Sequence, residues 1–322
     1  MPSNSQKEAT PLDRGQAQGV VDAIGRVGVW SFALDAIPMS SARAFVAEIE
    51  GLGYRALWIP ESIGGKEILS HAAVLLSASR DIVIASGIAN IWARDPMAME
   101  SGSRNLTDAF PGRFVLAMGV SHADSVDVRG GRYRRPYSKM RDYLDAMDRV
   151  RYDGPQGPRA PRLLAALGPK MLALAAERAL GAHPYFVPVE HTAFARERLG
   201  PGPVLAVEQT AVLHSDAAEA REVARAFAVD YLELPNYATN LLRFGYKEDE
   251  LKGGGSDRLI DAVVACGDEE SLSRRVREHL EAGADHVCLQ LIGHDPSDPR
   301  LADLRRLAPL LLTSPGHRTP AR

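Results

Sequence analysis

Four short stretches of this 322-residue chain combine residue types that can do chemistry. Glu61 follows the apolar run Leu57-Trp58-Ile59-Pro60, which puts an ionisable carboxyl at the end of a strand-like segment. A carboxyl in that position can pass a proton to or from a bound molecule, and it can equally cap the following turn. His122 comes soon after Phe114-Val115-Leu116-Ala117-Met118, in a polar stretch. Imidazole exchanges protons near neutral pH, although a merely solvated histidine looks the same in a sequence. Beside it, Gly119 and Ser121 can offer a backbone N–H and a hydroxyl to a phosphate or ring carbonyl. Gly168-Pro169-Lys170 opens a helix. Glycine permits close backbone approach, proline presets the first turn, and the free N–H groups with the lysine attract a phosphate. The plain alternative is a helix start with a solvent-facing lysine. Finally, the buried run 82–85 breaks at Ser86-Gly87 before Asp95-Pro96 starts a new helix, with Asp95 as N-cap and Pro96 as first residue.

These groups must be positioned by regular elements, and strand-like and helix-like segments alternate along the chain. Strands are expected at 27–30, 56–59, 82–85, 114–118, 162–167, 183–187, 204–213 and 286–291. Helices are expected at 40–52, 68–79, 97–110, 138–150, 169–179, 192–199, 217–231 and 299–312. Eight βα units in about 290 residues predict a closed (β/α)8 TIM barrel rather than an open sheet. Three stretches interrupt the alternation: 121–137, 151–161 and 234–255, with insertion loops expected at the C-terminal mouth and two helices, 257–265 and 269–282, before the last strand. One domain over 25–313 is expected, with disordered tails at 1–24 and 314–322. Trp30, Trp58 and Trp92 lie near strand ends and can wall a pocket or fill the core. Arg94 can form a salt bridge. Glu208 and Gln209 fall within a buried strand, so one must face the barrel interior and find a partner there. Asn236, Tyr237 and Asn240 are the insertion's candidates for substrate contact.

Composition narrows the function classes. A net charge of −3 gives no electrostatic reason to expect nucleic acid or an anionic membrane. No apolar run approaches membrane-spanning length. The two cysteines have no metal-type spacing and point to a reduced, cytoplasmic protein. No metal-ligand motif, GxGxxG after a strand, or Walker A motif is present, which argues against a metal-dependent hydrolase.

Together, several motifs resemble the luciferase-like flavin and deazaflavin oxidoreductases, in particular their short actinobacterial deazaflavin-dependent branch. They are Leu57-Trp58-Ile59-Pro60-Glu61-Ser62, the stretch from Ala85-Ser86-Gly87-Ile88 to Asp95-Pro96, Pro111-Gly112-Arg113-Phe114-Val115-Leu116, Gly119-Val120-Ser121-His122, Ala165-Ala166-Leu167-Gly168-Pro169-Lys170 and Ala282-Gly283-Ala284-Asp285-His286-Val287. The resemblance implies a ring cofactor at the barrel mouth, the deazaflavin coenzyme F(420) or alternatively FMN. It implies a non-prolyl cis peptide behind the ring, expected at Ser86-Gly87, with Trp58 and Ile88 beside it. It places the cofactor phosphate near Gly168, Pro169 and Lys170. Pro60-Glu61 stands where deazaflavin relatives often carry an Asp-His pair. Glu61 is therefore the expected acid, its pKa raised beside an apolar ring, with His122 second. The implied reaction is hydride transfer between F(420) and a small organic substrate in a homodimer; the alternatives are an FMN-dependent monooxygenase and a non-catalytic flavin-binding protein.

Overall fold

The computed structural model describes residues 14–312. The strands are β1 (Val27–Trp30), β2 (Ala56–Ile59), β3 (Val83–Ser86), β4 (Ala89–Asn90), β5 (Phe114–Gly119), β6 (Arg162–Leu164), β7 (Gly181–Ala182), β8 (Val204–Leu213), β9 (Val264–Gly267) and β10 (His286–Leu291). Every pairing is parallel. The ladder runs β10-β1-β2-β3-β5-β6-β7-β8 and closes through β8 with β10, giving the expected eight-stranded TIM barrel. Helices cover it outside, which is why every residue of β1, β2, β3, β5 and β8 is buried.

The barrel interior pairs large rings with small neighbours. Trp30 and Trp58 pack with Ala56, Ala85, Ala117, Ala206 and Cys288 in one apolar cluster. Gly28 is small for the same reason: a Cβ there would lie 2.7 Å from the His286 ring and 2.9 Å from the Ala56 carbonyl oxygen. Asp95 caps the helix Pro96–Ala109 as expected, accepting from the amides of Met97 at 2.8 Å and Ala98 at 3.0 Å. Glu67 does the same for Ile68–Ser77.

Three expectations are corrected. Residues 14–24, expected in the disordered tail, form the helix Arg14–Ile24. Ala17, Val20 and Ile24, spaced i, i+3, i+7, are buried against the interior residues at the barrel's lower end. The expected tails at 1–13 and 314–322 lie outside the described residues. The helix expected at 257–265 stops at Val263, and Val264–Gly267 instead forms β9 against the C-terminal half of β8. The sixth barrel strand is Gly181–Ala182, ahead of 183–187, because Pro184 has no N–H to continue the ladder. No helix among the described residues is long and apolar enough to cross a membrane.

Candidate active site

Because the strands are parallel, their C-terminal ends share one rim, where barrel enzymes place their chemistry. Trp30 ends β1, Glu61 follows β2, Ser86-Gly87-Ile88 ends β3, Gly119 to His122 ends β5, and Gly168 follows β6. Trp58 comes one residue before the end of β2. It is fully buried in the barrel, stacked on His183 at 4.3 Å, and its indole N–H donates to His286 Nε2 at 3.0 Å. It fills the interior beneath the rim.

The turn after β3 forms the floor of the mouth. Ser86 is buried and its hydroxyl donates to the Ala117 carbonyl at 2.7 Å, so it ties β3 to β5. A non-prolyl cis peptide is present, but between Gly87 and Ile88, one residue beyond the expected Ser86-Gly87. Ser86 still sits in register with Ile59, and the Gly87 amide donates to the Ile59 carbonyl at 2.7 Å, so the chain leaves the ladder only afterwards. Two glycines here are spatial requirements. A Cβ on Gly87 would lie 2.3 Å from Trp30 Nε1, and one on Gly119 would lie 2.4 Å from Ile88 Cδ1. Gly119 thus serves by admitting the Ile88 side chain, while its carbonyl accepts from the Ile91 amide at 3.1 Å. Ser121 beyond it adopts φ 60°, the left-handed region.

Trp30, Tyr185 and Gln290 meet beside this floor. The Tyr185 hydroxyl donates to Gln290 Oε1 at 2.9 Å, and its ring lies 5.4 Å from that of Trp30. Two buried donors here, Trp30 Nε1 and Gln290 Nε2, have no hydrogen-bond partner. Buried N–H groups left unmatched cost about 1–3 kcal/mol each.

Glu61 is held on all sides. It accepts from the Asn90 amide at 2.7 Å and from both terminal nitrogens of Arg94, one of them at 2.9 Å. Arg94 also reaches Glu67 at 2.8 Å, and its carbonyl accepts from the Tyr143 hydroxyl at 3.0 Å. Burial disfavours the Arg94 cation, but the hydrogen bonds and charges of Glu61 and Glu67 outweigh it and raise its pKa. Both oxygens accept, so Glu61 pins the segment from Asn90 to Arg94. His122 is half-buried and hydrogen-bonded through Nδ1 to Asn236 Oδ1 at 3.1 Å. Burial lowers its pKa despite that bond and Asp124, so it is neutral near pH 7. The contact joins the loop after β5 to the helix Pro235–Arg243 of the insertion. Tyr237 of that helix stands 5.6 Å from the imidazole, while Asn240 is buried beneath.

Gly168 is the N-cap of the helix Pro169–Arg178, with Pro169 at its first position and Lys170 exposed beside it. Its flank is open: the nearest group to a Cβ there would be Arg243 Nη2, at 4.0 Å. A helix N-terminus, a lysine and a guanidinium are each groups that attract an anion. Arg243 escaped the sequence reading because it lies more than 70 residues away, and only the i, i+3 spacing from Asn240 hinted at a shared face; the two are bonded at 3.0 Å.

The partner sought for the buried polar pair on β8 also becomes visible. Glu208 faces the interior and accepts from the Thr210 hydroxyl at 2.6 Å and the Phe186 amide at 3.1 Å. Desolvation, only partly offset by these two bonds, pushes its pKa up to about 7. Gln209 faces outward and bonds His279 Nε2 at 2.7 Å.

One rim of the parallel barrel thus gathers the Gly87 and Gly119 turns, two unpartnered buried donors and the N-terminus of the helix Pro169–Arg178. The sequence model of the luciferase-like monooxygenases matches residues 23–286, and the chain belongs to that family. At this level it is an oxidoreductase. Among curated relatives, the 5,10-methylenetetrahydromethanopterin reductase of Methanolobus tindarius is 23% identical over 281 residues, covering 74% of this chain and 86% of the relative. That of Archaeoglobus fulgidus is 24% identical over 294 residues, covering 76% and 87%. Among solved structures, an F(420)-dependent secondary alcohol dehydrogenase holding an F(420)-acetone adduct superposes with a TM-score of 0.70 at 15% identity, covering 89% of this chain and 98% of that one. The FMN-bound 3,6-diketocamphane monooxygenase from Pseudomonas putida reaches 0.62 at 15% identity, covering 89% and 98%. These likenesses at low identity show the fold.

Proposed function

We propose that the protein transfers hydride between the deazaflavin coenzyme F(420), bound at the barrel mouth, and a small organic substrate. The observation that carries this reading is the pair of buried, unpartnered donors, Trp30 Nε1 and Gln290 Nε2, beside a floor that Gly87 keeps flat. Ring carbonyls of a flavin-like molecule are acceptors of the kind these donors lack. When bound, the coenzyme supplies a carbon centre that passes hydride and does not readily activate oxygen. The two curated relatives named as reductases support this reading over oxygenation.

The chain's own residues divide the remaining work. Trp30, Gly87 and Ile88 back the ring. Gly168, Pro169, Lys170 and Arg243 hold the phosphate. Glu61, although first choice as acid from the sequence, acts in this reading as the brace of the floor through Asn90 and Arg94. His122, neutral and held by Asn236, faces the same rim and positions the substrate with Tyr237. The insertion helix closes over the ring and excludes water, which leaves the redox chemistry to the coenzyme.

Titration with F(420) and with FMN, followed through tryptophan fluorescence, tests the reading. F(420) is expected to quench Trp30 with the lower Kd, and reduced F(420) to turn over with enones or imines. Tighter FMN binding with oxygen-dependent turnover would replace the reading by a flavin monooxygenase; binding without turnover on any panel would favour a storage protein. Light scattering after gel filtration tests the expected homodimer.

A further inference from the structure

The loop that leaves the rim after β5 concentrates positive charge. Arg129, Arg132, Arg134 and Arg135 fall within seven residues, and all four are exposed. Among the described residues, no ion pair or side-chain hydrogen bond engages any of them. Arginines elsewhere on the surface are matched, as Arg178 is with Asp145 and Asp148, and Arg225 with Asp257. The loop's own acids, Asp124 and Asp127, are exposed and oppose these four arginines and Lys139. Residues 121–139 therefore carry a net charge of +3, five cations less two carboxylates, in a chain whose net charge is −3. Gathering like charges costs free energy, and a chain with 41 acidic residues has carboxylates to spare, yet none is placed here.

Printed contacts tie this charge to the mouth. The short helix Ala123–Asp127 starts at His122, whose carbonyl accepts from the Val126 amide at 3.1 Å. The Val126 carbonyl in turn accepts from the Gly131 amide at 3.0 Å, which folds the loop back towards the rim. The return is tight: a Cβ on Gly131 would lie 2.7 Å from Val126 Cγ1 and 3.2 Å from Trp92 Cε3. The Trp92 indole N–H donates to the Val120 carbonyl at 3.0 Å, and Lys139 Nζ stands 4.6 Å from the centre of its ring. A continuous set of contacts thus joins Val120 and His122 at the end of β5 to the arginine segment and to Lys139.

We propose that the small organic substrate is an acid, whose carboxylate or phosphate group is drawn to the loop 129–135 while its reactive end lies over the ring. This rests on the function proposed above and names the substrate class for that site. Unpaired guanidiniums offer forked N–H donors that match a carboxylate or phosphate, and a positive border at the mouth raises the local concentration of an anion. The short span of the loop and the negative charge of the whole chain favour a small acid over a polyanion such as nucleic acid.

Two enones of one skeleton, benzylideneacetone and its 4-carboxy derivative, test the inference by calorimetric titration, with and without F(420). Salt is set at about 0.01 M and about 1 M, where charges are felt over roughly 30 Å and 3 Å. In low salt the carboxylated enone is expected to bind roughly tenfold tighter than the neutral one, and to lose that advantage in high salt. The triple variant Arg129→Gln/Arg132→Gln/Arg134→Gln spares Arg135, which precedes the helix Pro136–Asp148. It should bind both enones alike at either salt concentration and keep Kd for F(420) within about twofold. With reduced F(420) it should raise KM for the carboxylated enone and leave kcat unchanged. Failure of the carboxylated enone to bind the wild type in low salt, equal binding of the two enones there, or an advantage that the variant keeps overturns the inference; turnover of either enone with reduced F(420) then leaves the function standing. If the variant instead loses F(420), the arginines hold the coenzyme's acidic groups, and the inference is again overturned. If F(420) does not bind the wild type, the function reading fails, and the salt-dependent preference of the apoprotein alone decides whether this loop selects acids. The wild-type salt comparison needs no variant, so a poorly folded one leaves the inference open to disproof.

Discussion

Two carboxyls stand near the same rim, and their surroundings give them opposite natures. Glu61, 4% exposed, is fixed by the Arg94 guanidinium and the Asn90 amide, and shares its arginine with Glu67. Glu208 is more deeply buried and has only a hydroxyl and one amide for company. The first is a charge with a counter-charge; the second is a charge without one. Position on a barrel rim therefore does not decide which acid can move a proton. The neighbours do, and they come from distant parts of the chain.

The comparison breaks most visibly if Glu61 is not a brace. Glu61→Ala leaves the buried Arg94 with the half-exposed Glu67, at 2.8 Å, as its remaining ion-pair partner, and should destabilise the fold by about 3 kcal/mol in urea unfolding. A loss under about 1 kcal/mol would mean that the pair contributes little and would reopen Glu61 as the acid. Next comes pH. Glu208 has a folded-state pKa of about 7, raised from 4.5. Its protonated form therefore contributes stability present below about pH 4.5 and lost as pH rises towards 7. The apoprotein's Tm should fall over that window, an effect on the order of 3 kcal/mol, and Glu208→Gln should remove most of the slope. Gly87→Ala then tests the floor: a methyl 2.3 Å from Trp30 Nε1 must displace the indole, at a cost of about 1–3 kcal/mol and with most of the ring affinity. An unaffected Kd would separate Trp30 from the ring. Lys170→Ala should be smallest, weakening cofactor binding only a few-fold, since an exposed charge at a helix N-terminus contributes about 0.3–1 kcal/mol; Arg243→Ala should match or exceed it.

The barrel itself was legible because its signals are local. The run Val83–Ser86, the Asp95-Pro96 start and the alternation from Val27 onward each show within a dozen residues. The rim positions of Glu61, Ser86, Gly119 and Gly168 followed from that alternation. What stayed hidden depends on contacts across the chain. Arg94 meets Glu61 from 33 residues away, Trp58 finds His286 across 228, and Arg243 reaches the flank of Gly168 from the insertion. β9 was hidden for another reason: Val263-Val264 continues an apolar helical face, and only pairing with Thr210–Leu213 makes it a strand. The helix Arg14–Ile24 did carry a periodic signal, but it was short and embedded in a polar segment. Its apolar face means little until the open end of a barrel is there to receive it.

That helix has a consequence for the opposite end of the molecule. With Ala17, Val20 and Ile24 packed under the interior residues, apolar side chains seal the barrel from below, so deleting the helix would open Trp58 and its alanine neighbours to water from that side.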